Sequence, residues 1–202
     1  ESEKLSVLTD YTSKSTWDEF YKKHGNGSPN SKDWSFYNSV NIYQTVLDTK
    51  PEINEIANHK NKLLRNDPNN CELLFDYAIC CLILENYNGC FDALQHGLRY
   101  DYQNSQYKYF TALSLLGGKR PFRHSKETVD KSLKILSKAI KISPHRSDYR
   151  ALEYILYIDH YHRIGLDYPN LSELPRIPEG EELALLLNST NIPLSEFKEI
   201  VS

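Results

Sequence analysis

The residues best suited to metal binding or nucleophilic chemistry are four cysteines and seven histidines, in a chain of 202 residues. Cys71, Cys80, Cys81 and Cys90 follow one another at spacings of 9, 1 and 9 positions. Zinc sites use closely spaced pairs such as Cys-x-x-Cys that converge on one ion, so this spacing matches no zinc pattern. We therefore expect no metal site, and we interpret the four thiols as free, buried side chains in a reducing compartment.

The histidines and acids form no catalytic arrangement either. His160 and His162 are two positions apart, so on a helix they point to different faces and cannot chelate one ion. Asp159 directly precedes His160, which is not the geometry of a catalytic dyad. The chain has no HExxH, GxSxG, Walker or GxGxxG motif. We therefore predict that it is not an enzyme, has no catalytic residue and uses no cofactor.

The composition is typical of a globular protein, with 40% hydrophobic residues, 25% charged residues and a formal net charge of −3. A chain of this length can bury a core without metals or disulfides. No apolar run is long enough to span a membrane and no leader pattern is present, so we expect no membrane insertion and a cytoplasmic location. Because methionine is absent, we interpret the chain as an excerpt or a processed product of a longer protein.

The segment 71–101 contains two apolar stripes with the period of an α-helix, one in 73–82 and one in 90–98. The polar stretch 85–89 between them is typical of a turn. This pattern predicts a helix hairpin in which small residues, Ala78, Cys90 and Gly97, lie where two backbones approach closely. Ala112 follows Ala78 by 34 positions, which indicates that the hairpin repeats.

These residues resemble the tetratricopeptide repeat (TPR), a 34-residue helix-turn-helix unit. The resemblance implies an all-α fold, a right-handed superhelix of about three to four helix pairs with a capping C-terminal tail. It places units at about 37–68, 71–102 and 105–144, and a fourth unit that begins at Ser147. The positions that carry the resemblance are Leu74, Tyr77, Ala78, Tyr87, Cys90, Gly97 and Asp101, with Ala139 and Pro144 at the close of the third unit.

We divide the chain into three parts. Residues 1–34 form an irregular flank with one short helix, 35–166 the helical-repeat domain, and 167–202 a proline-containing tail with two short capping helices. Gly97 and Ala139 are 42 positions apart rather than 34, so the third unit contains an insertion, in 117–127. Because loop entropy grows slowly with length, we expect this insertion to project from the end of the repeats without affecting the core.

In this family the first helix of each unit faces a concave groove, so the resemblance implies a largely apolar groove. Two occupants remain open for it. The leucines of the tail, Leu183 and 185–187, can fill it, or a partner protein can supply an amphipathic helix or an extended peptide. A tail that acts as an autoinhibitor would allow both at different times. The candidate contacts are Phe75, Ile79, Leu82, Tyr109, Leu113, Leu116 and Ile155.

The same groove argues against one kind of partner. Chaperone-binding members of the family clamp a terminal carboxylate with Lys and Asn side chains. This chain has Asn41 at one such position, but Thr45, Phe75, Ile79 and Tyr109 at others. The resemblance therefore implies no carboxylate clamp for heat-shock chaperone tails.

A second candidate surface is basic. Between Lys119 and Ile142 there are eight basic residues and two acidic ones. Four lysines of this segment share one face of a predicted helix, which is also typical of an ordinary solvated face. The charge would attract an acidic segment, including the tail of this chain, or phosphate or RNA. The candidate contacts in this loop and ridge are Lys119, Arg120, Phe122, Arg123, Lys131, Lys134 and Lys138.

The function that we predict is a non-catalytic protein-protein interaction or scaffold module. It would bind a peptide or helix of a partner protein through the apolar groove and the basic loop. The alternatives are an RNA- or phosphate-binding module that uses the ridge 119–141, and a regulatory arm of a larger enzyme.

Overall fold

A computed structural model describes residues 50–169, 171, 175–178 and 180–200, and every regular element in that part of the chain is helical. The predicted all-α class is therefore confirmed. The N-terminal flank and the predicted first helix of the first unit lie outside the described residues. The α-helices are α1 (Lys50–Asn66), α2 (Cys71–Ile83), α3 (Tyr87–Gly97), α4 (Ser105–Leu116), α5 (Lys126–Ile142), α6 (Ser147–Ile155), α7 (Gly180–Thr190) and α8 (Leu194–Ile200).

Polar side chains fix where the repeat helices begin. Asn70 and Asn104 accept hydrogen bonds from the backbone N–H groups of Leu73 and Tyr107, both at 3.1 Å. Each such N-cap stabilises a helix by about 1 kcal/mol. The two asparagines are 34 positions apart, and each also donates its side-chain amide to an aspartate three residues earlier, at 3.0 Å. The turn between units therefore repeats with the predicted period.

The helices from α1 to α6 pack in chain order, each against the next. Three residues separate α2 from α3, so these two helices form the predicted hairpin. The small residues Ala78, Cys90 and Gly97 are all buried. At Gly97 a Cβ atom would lie 2.1 Å from Cε1 of Tyr107, so α3 and α4 approach too closely for any larger residue.

The described residues contain two complete helix pairs, α2–α3 and α4–α5. On one side lies α1, the predicted second helix of the first unit. On the other side α6 continues as a π-helical segment, Leu156–His162, instead of pairing with a further repeat helix. None of the helices in the described ranges is both long enough and apolar enough to cross a membrane.

The insertion does not project freely, and that prediction is wrong. Its 3₁₀ turn, Pro121–Arg123, packs against the π-helical segment. Pro121 is buried, and its carbonyl oxygen lies 3.0 Å from Nδ1 of His160. His124 bonds to the carbonyl oxygen of Leu116 at 2.9 Å. The insertion is therefore part of the folded structure, because its backbone polar groups find partners there.

The tail forms the two predicted short helices. Helix α7 packs against α4 and α6, which are the predicted first helices of two units. Leu183 and Leu186 of α7 are fully buried, as is Phe197 of α8. The tail thus belongs to the same core as the repeats.

Candidate partner-binding surfaces

The seven predicted groove residues lie on α2, α4 and α6, but the structure shows no open groove at them. Ile79 is 3% exposed, and the other buried members are less exposed still, so these side chains form core. Phe75 is half-buried and packs against the rings of Tyr107 and Phe110. The buried members are Ile79, Leu82, Tyr109, Leu113, Leu116 and Ile155. Their role in binding a partner stays a prediction, and it requires that whatever covers them moves away.

Helix α7 covers the predicted groove residues along α4 and α6. Its N-terminal end is held by an ion pair in which Arg146 Nη2 lies 2.9 Å from Glu182 Oε1. Arg146 also donates two hydrogen bonds to Asp148, at 2.9 and 2.8 Å. Asp148 is almost fully buried, so it holds the guanidinium in place. We call the surface of α4 and α6 beneath α7 the helix-docking surface.

The second tail helix is held by Arg120, one of the predicted contacts of the basic loop. Its guanidinium donates to Asp159 at 2.7 Å and to Glu196 of α8 at 2.5 Å. The Arg120 side chain is 12% exposed, and that of Asp159 is 1% exposed. Two carboxylates of this chain already bind Arg120, and one of them is the tail acid Glu196, which agrees with the expected attraction between the basic loop and the tail. A contact of Arg120 with a partner stays a prediction.

Phe122, another predicted contact of the basic loop, is half-buried. Three guanidinium groups lie over its half-buried ring, with their carbon atoms 5.2 Å (Arg120), 5.6 Å (Arg123) and 4.7 Å (Arg163) from the ring centre. Lys119 and Arg123 remain exposed. Among the predicted loop contacts, these two side chains are accessible to a partner without any rearrangement of the chain.

The lysine ridge, defined as Lys131, Lys134, Lys138 and Lys141 of α5, is fully accessible. All four side chains are exposed, and none makes an ion pair within the described residues. The tail acids Glu182 and Glu196 form ion pairs with Arg146 and Arg120, so these two carboxylates do not neutralise the ridge.

Lys108 of α4 extends the positive surface. Its pKa is lowered, first by burial and then by the nearby charge of Lys138. Its ammonium donates to the carbonyl oxygen of Tyr102, whose side chain is 68% exposed. No local sequence pattern relates Lys108 to the ridge, because the two are brought together only by the packing of α4 on α5.

A small cavity of about 30 Å³ lies between α7 and the helix-docking surface. The hydroxyl of Tyr109 is buried and has no hydrogen-bond partner within the described residues. Burial, followed by the charges of Asp148 and Glu182, raises the pKa of Tyr109 well above its usual value, so the phenol keeps its proton. The residues that line the cavity are Gln106, Tyr109, Phe110, Arg146, Asp148, Glu182 and Leu185.

Three of the four thiols are buried as predicted, whereas Cys71 is only half-buried. Cys80, Cys81 and Cys90 are buried, and all four cysteines are free. Burial raises the pKa of Cys80 to about 12, so this thiol stays protonated at neutral pH. Among the described residues, no three His, Cys, Asp or Glu side chains are placed to hold a metal ion.

No protein-family model matches the chain, and no curated protein matches it. Among solved structures, the chain is similar to a mutant O-GlcNAc transferase from Thermobaculum terrenum, with 15% identity and a TM-score of 0.45 over 59% of this chain. The chain covers 22% of the length of that protein. A likeness at this level establishes no family. The helical-repeat architecture follows instead from the helix packing and the 34-residue spacing of the capped turns.

Proposed function

We propose that this chain is a non-catalytic interaction module that binds an amphipathic helix of a partner protein on its helix-docking surface. One observation carries the proposal: a helix of the chain itself, α7, already lies there. It buries Leu183 and Leu186, which are three positions apart and so share a face. It also pairs Glu182 with Arg146. Apolar anchors at helical spacing with one orienting charge are typical of helix-in-groove recognition.

On this view α7 is a ligand in cis, and a partner helix must displace it. A ligand on a short linker has a local concentration of about millimolar, so it competes strongly with a ligand in solution. The segment that precedes α7 contains Pro169, Pro175 and Pro178, which favour extended backbone over helix. Partner binding would therefore be weak until the contacts of the tail are loosened, which makes the tail an inhibitor of the site.

A labelled peptide of residues 178–200 tests the proposal, with the full chain as its receptor. We expect saturable binding that strengthens when Leu183→Asp weakens the docking of the tail in cis. A peptide that carries Leu183→Asp and Leu186→Asp is the matched control and should not bind. If circular dichroism shows both receptors to be folded and the unmodified peptide binds neither, the proposal is wrong.

A second candidate function is the binding of RNA or another phosphate-bearing ligand. The supporting observation is the lysine ridge, which is exposed and unpaired in the described part of the chain. Phosphate contacts release counterions, so affinity for a single-stranded RNA should fall steeply with salt. Lys134→Glu with Lys138→Glu should abolish retention on heparin at low salt. Retention that does not change with either salt or these substitutions would exclude the ridge.

A further inference from the structure

We propose that the cavity beneath α7 is a recognition subsite for a side-chain amide, Asn or Gln, on the partner helix. The inference rests on the proposed function, and it names the chemistry that the partner must present. Helix α7 places Leu185 against this cavity. A partner with an amide at the equivalent position would make a hydrogen bond that α7 cannot make.

The Tyr109 hydroxyl has unused hydrogen-bonding capacity within the described residues. Tyr109 is 2% exposed, and its ring stacks on Tyr149 with the centres 4.6 Å apart. The stacking fixes the ring, so the hydroxyl cannot swing out to water. A buried donor without an acceptor destabilises the state that contains it, and a ligand that supplies the acceptor recovers that loss on binding.

The charges around the cavity select a neutral acceptor over a carboxylate. Asp148 and Glu182 already face a single guanidinium, that of Arg146. Burial and the charge of Asp148 raise the pKa of Glu182, although Arg146 opposes the shift. A partner helix that keeps an acid at the position of Glu182 would place a further acid at the position of Leu185 beside two carboxylates, which would repel it. A lysine could offer only donors, which leaves the proton of the Tyr109 hydroxyl without an acceptor.

The cavity also has a suitable size and a second polar side chain among its lining residues. The space open to the centre of a water-sized group is about 30 Å³, more than the roughly 10–15 Å³ that one water molecule needs, so a small polar group such as a terminal amide can enter. Gln is one heavy atom longer than Leu, so at the position of Leu185 it reaches into this space. Its carbonyl oxygen can accept from Tyr109 while its NH₂ group donates to the side-chain oxygen of Gln106, another lining residue.

The test in cis is a double-mutant cycle in the full chain, read out by thermal unfolding. Leu185→Gln should unfold about 2–4 °C above the apolar control Leu185→Met, since one new buried hydrogen bond forms. In the Tyr109→Phe background this difference should disappear. An equal difference in both backgrounds, or none in either, overturns the inference, because the amide then gains nothing from Tyr109. A bound water molecule that already accepts the hydrogen bond of the Tyr109 hydroxyl would give one of these two outcomes.

The test in trans uses the peptide of residues 178–200 against the full chain. The Leu185→Gln peptide should bind roughly five-fold more tightly than the Leu185→Met peptide, and only when Tyr109 is present. If both peptides bind equally and the cycle shows no coupling, the subsite is wrong and the proposed function stands. If neither peptide binds while the cycle shows coupling, the proposed function is wrong, and with it the role of the subsite for a partner.

Discussion

Two stacked tyrosines show how much depends on a single hydroxyl group. Tyr109 and Tyr149 are both buried, with their ring planes at 24°. The Tyr149 hydroxyl donates to Oγ of Ser105 at 3.3 Å. The Tyr109 hydroxyl has no such acceptor in the described structure. The same chemical change at the two positions should therefore have opposite effects on stability.

We expect Tyr109→Phe to raise the free energy of unfolding by about 1 kcal/mol, because it removes a buried donor without a partner. Tyr149→Phe, the matched control, should lower it by about the same amount, because a hydrogen bond is lost. The midpoints of thermal unfolding should move by about 2–4 °C in opposite directions. A lower midpoint for Tyr109→Phe would show that the hydroxyl has an acceptor, and would contradict the argument for the subsite.

At the scale of elements, one arginine joins three separate parts of the chain. Arg120 belongs to the insertion, Asp159 to the π-helical segment and Glu196 to α8. Asp159 also accepts a hydrogen bond from the backbone N–H of Phe122, at 3.4 Å. The carboxylate is almost fully buried, so its charge depends on these donors.

We therefore expect Arg120→Ala to destabilise the protein by about 3 kcal/mol, because it leaves the Asp159 carboxylate buried with its main partner gone. Arg123→Ala removes an exposed arginine of the same turn and should cost about 1 kcal/mol or less, the size of an exposed cation–π contact. Urea unfolding of the two variants makes the comparison. If the two substitutions lower the free energy of unfolding equally, the ion pairs of Arg120 contribute little to stability.

The docking of α7 should depend on pH through Glu182. Burial and the charge of Asp148 raise the pKa of this carboxyl above 4.5 because together they outweigh the attraction of Arg146, so the docked tail binds a proton more readily than the free tail. Docking should therefore strengthen as the pH falls from neutral through the raised pKa, and the gain should end near pH 4.5. Hydrogen exchange of α7 reports docking. Glu182→Gln should remove this pH dependence. If docking of α7 instead weakens as the pH falls, the predicted direction of the effect is wrong.

The sequence could predict the helices but not their attachments. Asn104 and Ser125 each bond to a backbone N–H three residues later, so helix starts follow from local sequence. Arg120 and its partners are 39 and 76 positions apart. No sequence periodicity relates positions that far apart. The sequence of a basic loop also does not show whether the loop packs against the rest of the chain or projects into solvent. The sequence also gives no sign of the cavity at Tyr109, because the lack of a hydrogen-bond acceptor for this hydroxyl results from the packing of the helices.

At the scale of the whole molecule, the repeats and the tail are joined by different kinds of contact. The repeat helices pack in chain order through short capped turns, and α3 meets α4 with no space for a Cβ at Gly97. In the described part of the chain, the tail is attached through buried leucines, two ion pairs and an interface that contains a cavity. The sequence left both occupants of the groove open, because the leucines of α7 fit a permanent cap and a displaceable ligand equally well.

Hydrogen exchange distinguishes a permanent cap from a displaceable ligand. If α7 and α8 are a ligand in cis, their amides should exchange through a local opening with a lower free energy than that of α2–α5, since fewer contacts must break. Leu186→Ala removes a fully buried side chain of the tail and should speed exchange in 180–200 by more than tenfold, because such a change costs about 2–5 kcal/mol. Leu136→Ala, an equally buried change in α5, should instead speed exchange throughout the repeats. If Leu186→Ala speeds exchange of α2–α5 as much as that of the tail, the chain opens as one unit and α7 is a structural cap. The tail could then not be displaced by a partner without unfolding the repeats, and the helix-docking surface would not serve as a binding site.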